Sequence, residues 1–283
     1  MRWRERTADF IFLGPFLLFT AAFLVLPTLG LFVQAVTVSH GYSLSPVATI
    51  WQDSHLIAFE NSIEVSVLSA LVGAIVGSLA AWITLAQGMP RWGRAVVSTF
   101  SAVAANFAGV PLAFAFISTL GALGVITTIL KSVGFDIYGA GFSLFHIEGL
   151  VIVYAYFQIP LMLIVITPAL EGLRREWREA AESLGASTWQ FWRHIGLPVL
   201  LPSLLSATIL LFGNAFSAYA TPYALTSGNL PLVPIDISNA LAGNVSLSPA
   251  EGASLACGMI VVMAVAMLLY GLLARRVSKW RAR

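Results

Sequence analysis

A chain of 283 residues that is 58% hydrophobic, only 10% charged and close to neutral at +2 has a mean hydropathy of +0.87. A soluble domain of this length needs a far more charged surface, so the composition excludes an ordinary water-soluble enzyme or binding module and makes the bilayer the solvent. The single cysteine, Cys257, excludes an internal disulfide and a cysteine metal cluster.

Apolar runs of about 20 residues, the length that crosses a bilayer, occur at Phe10–Val36, Ser62–Ala86, Ala95–Leu120, Gly149–Leu170, Val199–Phe216 and Ala253–Ala274. The first run exceeds the roughly 7–15-residue apolar region of a secretory signal, so it reads as a retained helix kinked at Pro15 and Pro27. Residues 37–60 and 223–252 contain no Lys or Arg and are rich in Pro, Ser, Gly and Asn, which predicts irregular or re-entrant outer loops. Between them, Val125–Val133 is a short amphipathic stretch among glycines, suited to lie at the interface.

Loop charge sets orientation, because cytoplasmic loops retain Lys and Arg. Of the 15 basic residues, Arg2, Arg4, Arg6, Arg91, Arg94, Arg174, Arg175, Arg178, Arg193, Arg275, Arg276, Lys279, Arg281 and Arg283 share one side, and only Lys131 falls on the other. Six spans with both termini in the cytoplasm follow. The fold class is an all-α integral membrane protein with one transmembrane domain over residues 1–283 and a cytoplasmic loop at 171–198.

That loop is polar inside an apolar chain. Trp177, Ala180, Ala181 and Leu184 recur at helical spacing, with Arg175, Glu176, Arg178, Glu179 and Glu182 on the remaining surface. Gly185 is placed to end this helix in a left-handed cap, Ser187 and Gln190 form a capping box for a second helix through His194, and Pro198 limits it and opens the fifth span. The whole reads Glu179-Ala180-Ala181, Gly185, then Ile195, Leu197 and Pro198, a helix-glycine-helix docking element.

The pattern E-A-A-x3-G-x9-I-x-L-P resembles the cytoplasmic signature of the membrane subunits of binding-protein-dependent ABC importers, and the resemblance covers nearly the whole chain. It implies a type I importer permease in a bacterial inner membrane, with Glu179, Ala180, Ala181, Gly185, Ile195, Leu197 and Pro198 coupling it to an ATPase subunit. The implied partners are two copies of that ATPase, a second permease of paralogous sequence, a periplasmic solute-binding protein and the lipid bilayer, with no nucleic acid. No cofactor or metal is expected on this chain; ATP and Mg belong to the ATPase, because neither Lys131 nor Lys279 follows a glycine as a phosphate-binding loop requires.

Stretches 106–116 and 212–228 look like those of spermidine and putrescine permeases, which implies a polyamine cargo; phosphonate, thiamine, iron and oxyanions are the alternatives within the class. Pathway candidates are Asn106, Asn214, Ser217, Tyr219 and Thr221, polar groups at membrane depth, with Glu64 and Glu148 at the outer span ends. The outer side also carries Asp53, Glu60, Asp136, Asp236 and Glu251, a field that attracts a polycation. An ion-coupled carrier or channel would show ionisable residues deep in its spans or inverted repeats. An intramembrane enzyme would gather a catalytic constellation, whereas His40, His55, His146 and His194 are scattered through loops and span edges.

Overall fold

The computed structural model describes residues 13–38, 41–85, 89–242 and 248–281, the last seven of these as backbone alone. Arg2, Arg4, Arg6, His40, Ala86, Arg283, the start of the first span at Phe10 and residues 243–247 of the last outer loop lie outside the described residues. In chain order the elements are α1 (Leu13–Val36), β1 (Thr37–Val38), β2 (Gly41–Tyr42), α2 (Asp53–Leu85), α3 (Arg91–Asn106), α4 (Val110–Leu120), α5 (Val125–Ser132), α6 (Ile147–Glu171), α7 (Arg175–Ser183), α8 (Thr188–Phe216), α9 (Ala220–Thr226), α10 (Val233–Leu241) and α11 (Pro249–Arg281). Helices dominate because a chain in lipid must satisfy its backbone groups internally. Among the described residues six stretches are long and apolar enough to cross a membrane: α1, α2, Val110–Ser132, α6, α8 and Pro249–Ala274.

Three sequence expectations are corrected. The third span is not one helix over Ala95–Leu120: residues 107–109 separate α3 from α4, and the apolar stretch runs on into α5. The second loop helix is not limited by Pro198: it passes the proline without stopping, so that one helix, Thr188–Phe216, carries the fifth span. The loops at 37–60 and 223–252, expected to be irregular or re-entrant, carry short regular elements. β1 pairs antiparallel with β2, Thr37 opposite Tyr42, and α2 begins at Asp53; the last loop holds the end of α9 and all of α10.

The described residues divide into two compact units. One comprises the chain up to Ala58 together with Val233–Val262. Here α1 stays continuous through a wide π-turn at Ala21–Val25, in which the Leu26 amide bonds the Ala21 carbonyl just ahead of Pro27. The wider turn makes room for the proline ring, which would otherwise clash one turn back. The most apolar window of α1 is 0% buried, so its surface is left for lipid or for another chain. Ser254 Oγ donates to the Ala35 carbonyl at 3.3 Å, tying α11 to α1. His55, 4% exposed, sets Nδ1 3.4 Å from Asp236 Oδ2 of α10.

The other unit comprises Phe59–Leu232 and the chain from Met263. Its centre is α6, whose apolar window is the most buried of the six at 56%, packed against α3 and α8. The rest of α2 lies directly on α6 through two glycines: a Cβ at Gly77 would stand 2.6 Å from the Ile159 carbonyl, and one at Gly73 2.8 Å from Gln158 Cβ. Small residues let helices approach in lipid where no hydrophobic force joins them. Gln158 then uses the proximity, its Nε2 donating to the Leu211 carbonyl of α8 at 2.9 Å.

Candidate functional site: a capped helix pair and two interrupted spans

The helix pair at 175–191 is held by local code. Arg174 opens α7, and Arg175–Glu179 and Arg178–Glu182 pair at 2.9 Å along its outer face. Such exposed pairs add only about 0.3–0.5 kcal/mol each, so the caps do more. Gly185 takes φ +79°, its amide bonding the Glu182 carbonyl and the Ala186 amide the Ala181 carbonyl, both at 2.9 Å. That double bond is a Schellman cap, and it needs a residue without a Cβ penalty at the left-handed position. Two residues on, Ser187 N–H donates to Gln190 Oε1 at 2.7 Å and Gln190 N–H to Ser187 Oγ at 3.3 Å, the reciprocal box that starts α8.

The two helices enclose an apolar groove of about 480 Å³. Trp177, Ala180, Ala181 and Leu184 of the α7 end meet Ala186, Gln190, Phe191, His194, Ile195 and Val199. Leu184 remains 88% exposed and Trp189 71% exposed, apolar surface that nothing among the described residues covers. Glu179 and Pro198 are exposed beside it, and Leu197 is 51% exposed. All seven residues expected to couple lie within this one short segment, but only Ala180, Ala181 and Ile195 line the groove.

Within α8, Trp192–Gly196 form a π-turn, the Leu197 amide bonding the Trp192 carbonyl ahead of Pro198. Trp192, Gly196 and Trp82 were not among the candidate site residues. Their signal was present: Gly-Leu-Pro at 196–198 repeats the Gly-Val-Pro of 109–111.

Residues 107–109 interrupt the apolar chain differently. Gly109 takes φ +77°, ψ −150°, a region open only to glycine, and donates its amide to Thr221 Oγ1 at 2.7 Å. The facing interruption, residues 217–219, separates α8 from α9, and α4 packs on α9. Thr221 is therefore 3% exposed and holds the two interruptions together rather than facing an open path.

Asn106, Asn214, Ser217 and Tyr219 flank or lie in the two interruptions. Asn106 Nδ2 donates to the Ala102 carbonyl of its own helix at 2.8 Å and Ser217 Oγ to that of Gly213 at 2.9 Å. Asn214 is exposed near the end of α8, and Tyr219 lies 5.2 Å from Tyr223, ring to ring. Tyr156 of α6 stands edge-on to both Phe107 and Phe116, at 6.2 and 5.9 Å, so the break is lined by aromatic rings and neutral hydrogen-bonding groups. Glu64 and Glu148 are exposed elsewhere, Glu148 in the first turn of α6. Counted from Leu85, about 20 residues of α2 fill a hydrocarbon layer of about 30 Å, which puts Glu64 at its far boundary.

The carboxylates expected on the outer side are partly engaged. Asp136 accepts from the Gly139 amide at 2.9 Å and meets Lys131 at 3.1 Å, which hold its carboxyl below the ordinary value. Burial pushes the Asp236 carboxyl up, against the pull of His55. Glu251 caps α11 through the Ser248 amide at 2.6 Å.

A bundle of apolar helices interrupted at facing points, with one rigid hydrophilic helix pair between its spans, is a multi-pass membrane transport component. The chain belongs to the family described as the binding-protein-dependent transport system inner membrane component, which matches residues 8–279. It is 27% identical over 233 residues to the thiamine transport system permease protein ThiP of Escherichia coli (strain K12), covering 81% of this chain but spanning only 41% of that relative's length. It is 26% identical over 216 residues to the probable sulfate transport system permease protein cysT of Chlorella vulgaris, covering 75% of this chain and 76% of the relative. In fold it is similar to a chain of the bacterial alginate ABC transporter in complex with alginate pentasaccharide-bound periplasmic protein, with a TM-score of 0.73, 21% identity and 98% of each chain covered.

Proposed function

We propose that this chain is the permease subunit of an ATP-driven importer, forming half of the translocation pathway. Residues 171–198 dock on a separate ATPase subunit, which binds ATP and Mg. The observation that carries the reading is the capped helix pair with its uncovered apolar groove. A rigid lever with exposed Leu184 and Trp189 suits insertion into a partner's cleft, and Glu179 beside it accepts charge-assisted hydrogen bonds from that partner. The basic loops orient this segment to the cytoplasm and both termini with it. Two ATPase subunits, a second, paralogous permease and a periplasmic binding protein complete the machine, each acting through its differential affinity for two conformations.

For cargo we favour a small oxyanion over the polyamine that the sequence suggested. Neutral groups line the break, Asp136, Asp236 and Glu251 are engaged within the chain, and a sulfate permease is among the relatives. ATP hydrolysis by the reconstituted complex, measured across sulfate, molybdate, phosphonate, thiamine, ferric iron, putrescine and spermidine with the cognate binding protein, tests both levels. Stimulation by an oxyanion supports the cargo; stimulation by a polyamine returns weight to the acidic outer face and removes it. Glu179→Lys and Gly185→Pro should insert normally yet lose uptake, and normal uptake by both would sink the docking assignment.

A further inference from the structure

The helix that begins in the 171–198 segment continues into the membrane as α8, but the join is not stiff. The π-turn at Trp192–Gly196 is wide, and Pro198 supplies no amide to close the next turn. A lever hinged at such a turn loses part of its stroke before it reaches the span, unless the moving end is braced sideways.

Trp192 is that brace. Its ring lies back along its own helix on Gly196: a Cβ there would stand 2.6 Å from Trp192 Cε3 and 3.1 Å from Cζ3. Held this way, the ring meets Trp82 of α2 edge-on, with centroids 5.9 Å apart and planes at 89°. Trp82 follows fully buried Ala81 and lies little more than one turn beyond Gly77, where α2 presses directly on the backbone of α6. A displacement of Trp192 is therefore passed to α2 at a point where α2 is locked onto the most buried helix of the bundle. Trp192 does not line the apolar groove, so it is free to serve this second purpose.

We infer that Trp192, seated on Gly196 and set edge-on against Trp82, is a positioning contact that carries movement of the docking segment to α2 and so to α6. The inference rests on the docking reading above. It assigns roles to three residues, Trp82, Trp192 and Gly196, that lie outside the signature positions.

The experiment uses the whole reconstituted complex and reads three quantities: recovery of the ATPase subunit with the chain, solute-stimulated over basal ATP hydrolysis, and solute taken up per ATP. Trp82→Ala, outside the docking segment, should recover the ATPase normally, and it and Trp192→Ala should each lower uptake per ATP roughly threefold to tenfold, the range an aromatic edge contact supports. The double variant should be no worse than either single change, as for two ends of one contact. Gly196→Ala should reproduce the loss by lifting the ring, and Trp82→Phe should recover most of it. Because alanine variants can fail by unfolding, a reversible crosslink supplies the second arm. Trp82→Cys with Trp192→Cys, in a Cys257→Ser background, should lose uptake per ATP while the thiols are free and regain it when a short cleavable bis-thiol reagent bridges them in place of the two rings. Unchanged uptake per ATP in both single variants, additive losses in the double variant, or a bridged pair that couples no better than the free thiols would each overturn the inference. Failure of the unmodified chain to recover any ATPase would instead overturn the docking reading, which keeps the two outcomes apart.

Discussion

Two tripeptides of almost the same sequence, Gly109-Val110-Pro111 and Gly196-Leu197-Pro198, sit in apolar helical surroundings and have opposite outcomes. At the first the helix ends and restarts, with Gly109 at φ +77°. At the second it continues, with Gly196 at φ −61°, ψ −57°. Both prolines deprive the turn before them of a donor. What differs is the acceptor offered to the neighbouring amides. At 196–198 the helix itself supplies it, the Trp192 carbonyl receiving the Leu197 amide in a π-turn, and Pro27 in α1 repeats the device. At 109–111 the acceptor is Thr221 Oγ1, from the facing interruption. A proline in lipid is thus neither a stop nor a kink by itself; the nearest available oxygen decides.

The largest effect is expected where that outside acceptor and the glycine backbone meet. Gly109→Ala forces a Cβ into a glycine-only region at a cost of about 1–3 kcal/mol. Thr221→Val keeps the shape but leaves the Gly109 amide unpaired, costing about 1–3 kcal/mol. Thermal unfolding of the purified chain in detergent should fall for both. The double variant should fall less than the sum, because the two changes remove one contact. Additive losses would break the comparison by making the hydroxyl incidental.

These sites also mark where the sequence could and could not be read. Six apolar stretches were legible because hydropathy sums over about 20 residues and needs no knowledge of neighbours. The ends of α7 and the start of α8 were legible because caps are written in adjacent residues: Gly185 and the Ser187–Gln190 box stand as the pattern requires. The break at 107–109 was not, since it depends on Thr221, 112 residues away. Nor was α10, whose Asp236 meets His55 across 181 residues. Asn106 stands directly before the break, but what settles the break is a distant side chain. Thr221, a pathway candidate in the sequence, is a buried latch in the structure.

A smaller effect of opposite sign is expected at the continuous site. Pro198→Ala restores an amide that can reach the His194 carbonyl, so the π-turn has less reason to persist. The stability gain should be about 1 kcal/mol, well short of the roughly 3 kcal/mol that an interior proline costs, because the wide turn already relieves the ring clash. Uptake per ATP should fall although the protein is more stable, since straightening the turn moves Trp192 off Gly196. A variant that is both more stable and fully coupled would show that the π-turn only accommodates the proline.

The smallest effect concerns where α8 begins. Ser187 fixes the first turn through Gln190, and the π-turn opens only five residues later, so the cap and the wide turn share one short stretch of helix. Ser187→Ala should cost about 1 kcal/mol, the usual value of a lost N-cap. It should also let the start of α8 fray toward Trp192, loosening the ring from Trp82. Trp emission from this pair, measured with and without Ser187→Ala, should therefore change more than it does with Ser183→Ala, whose hydroxyl donates only within α7. Equal responses would mean that α8 holds its register without the cap, and that Pro198 and Gly196 alone set the π-turn.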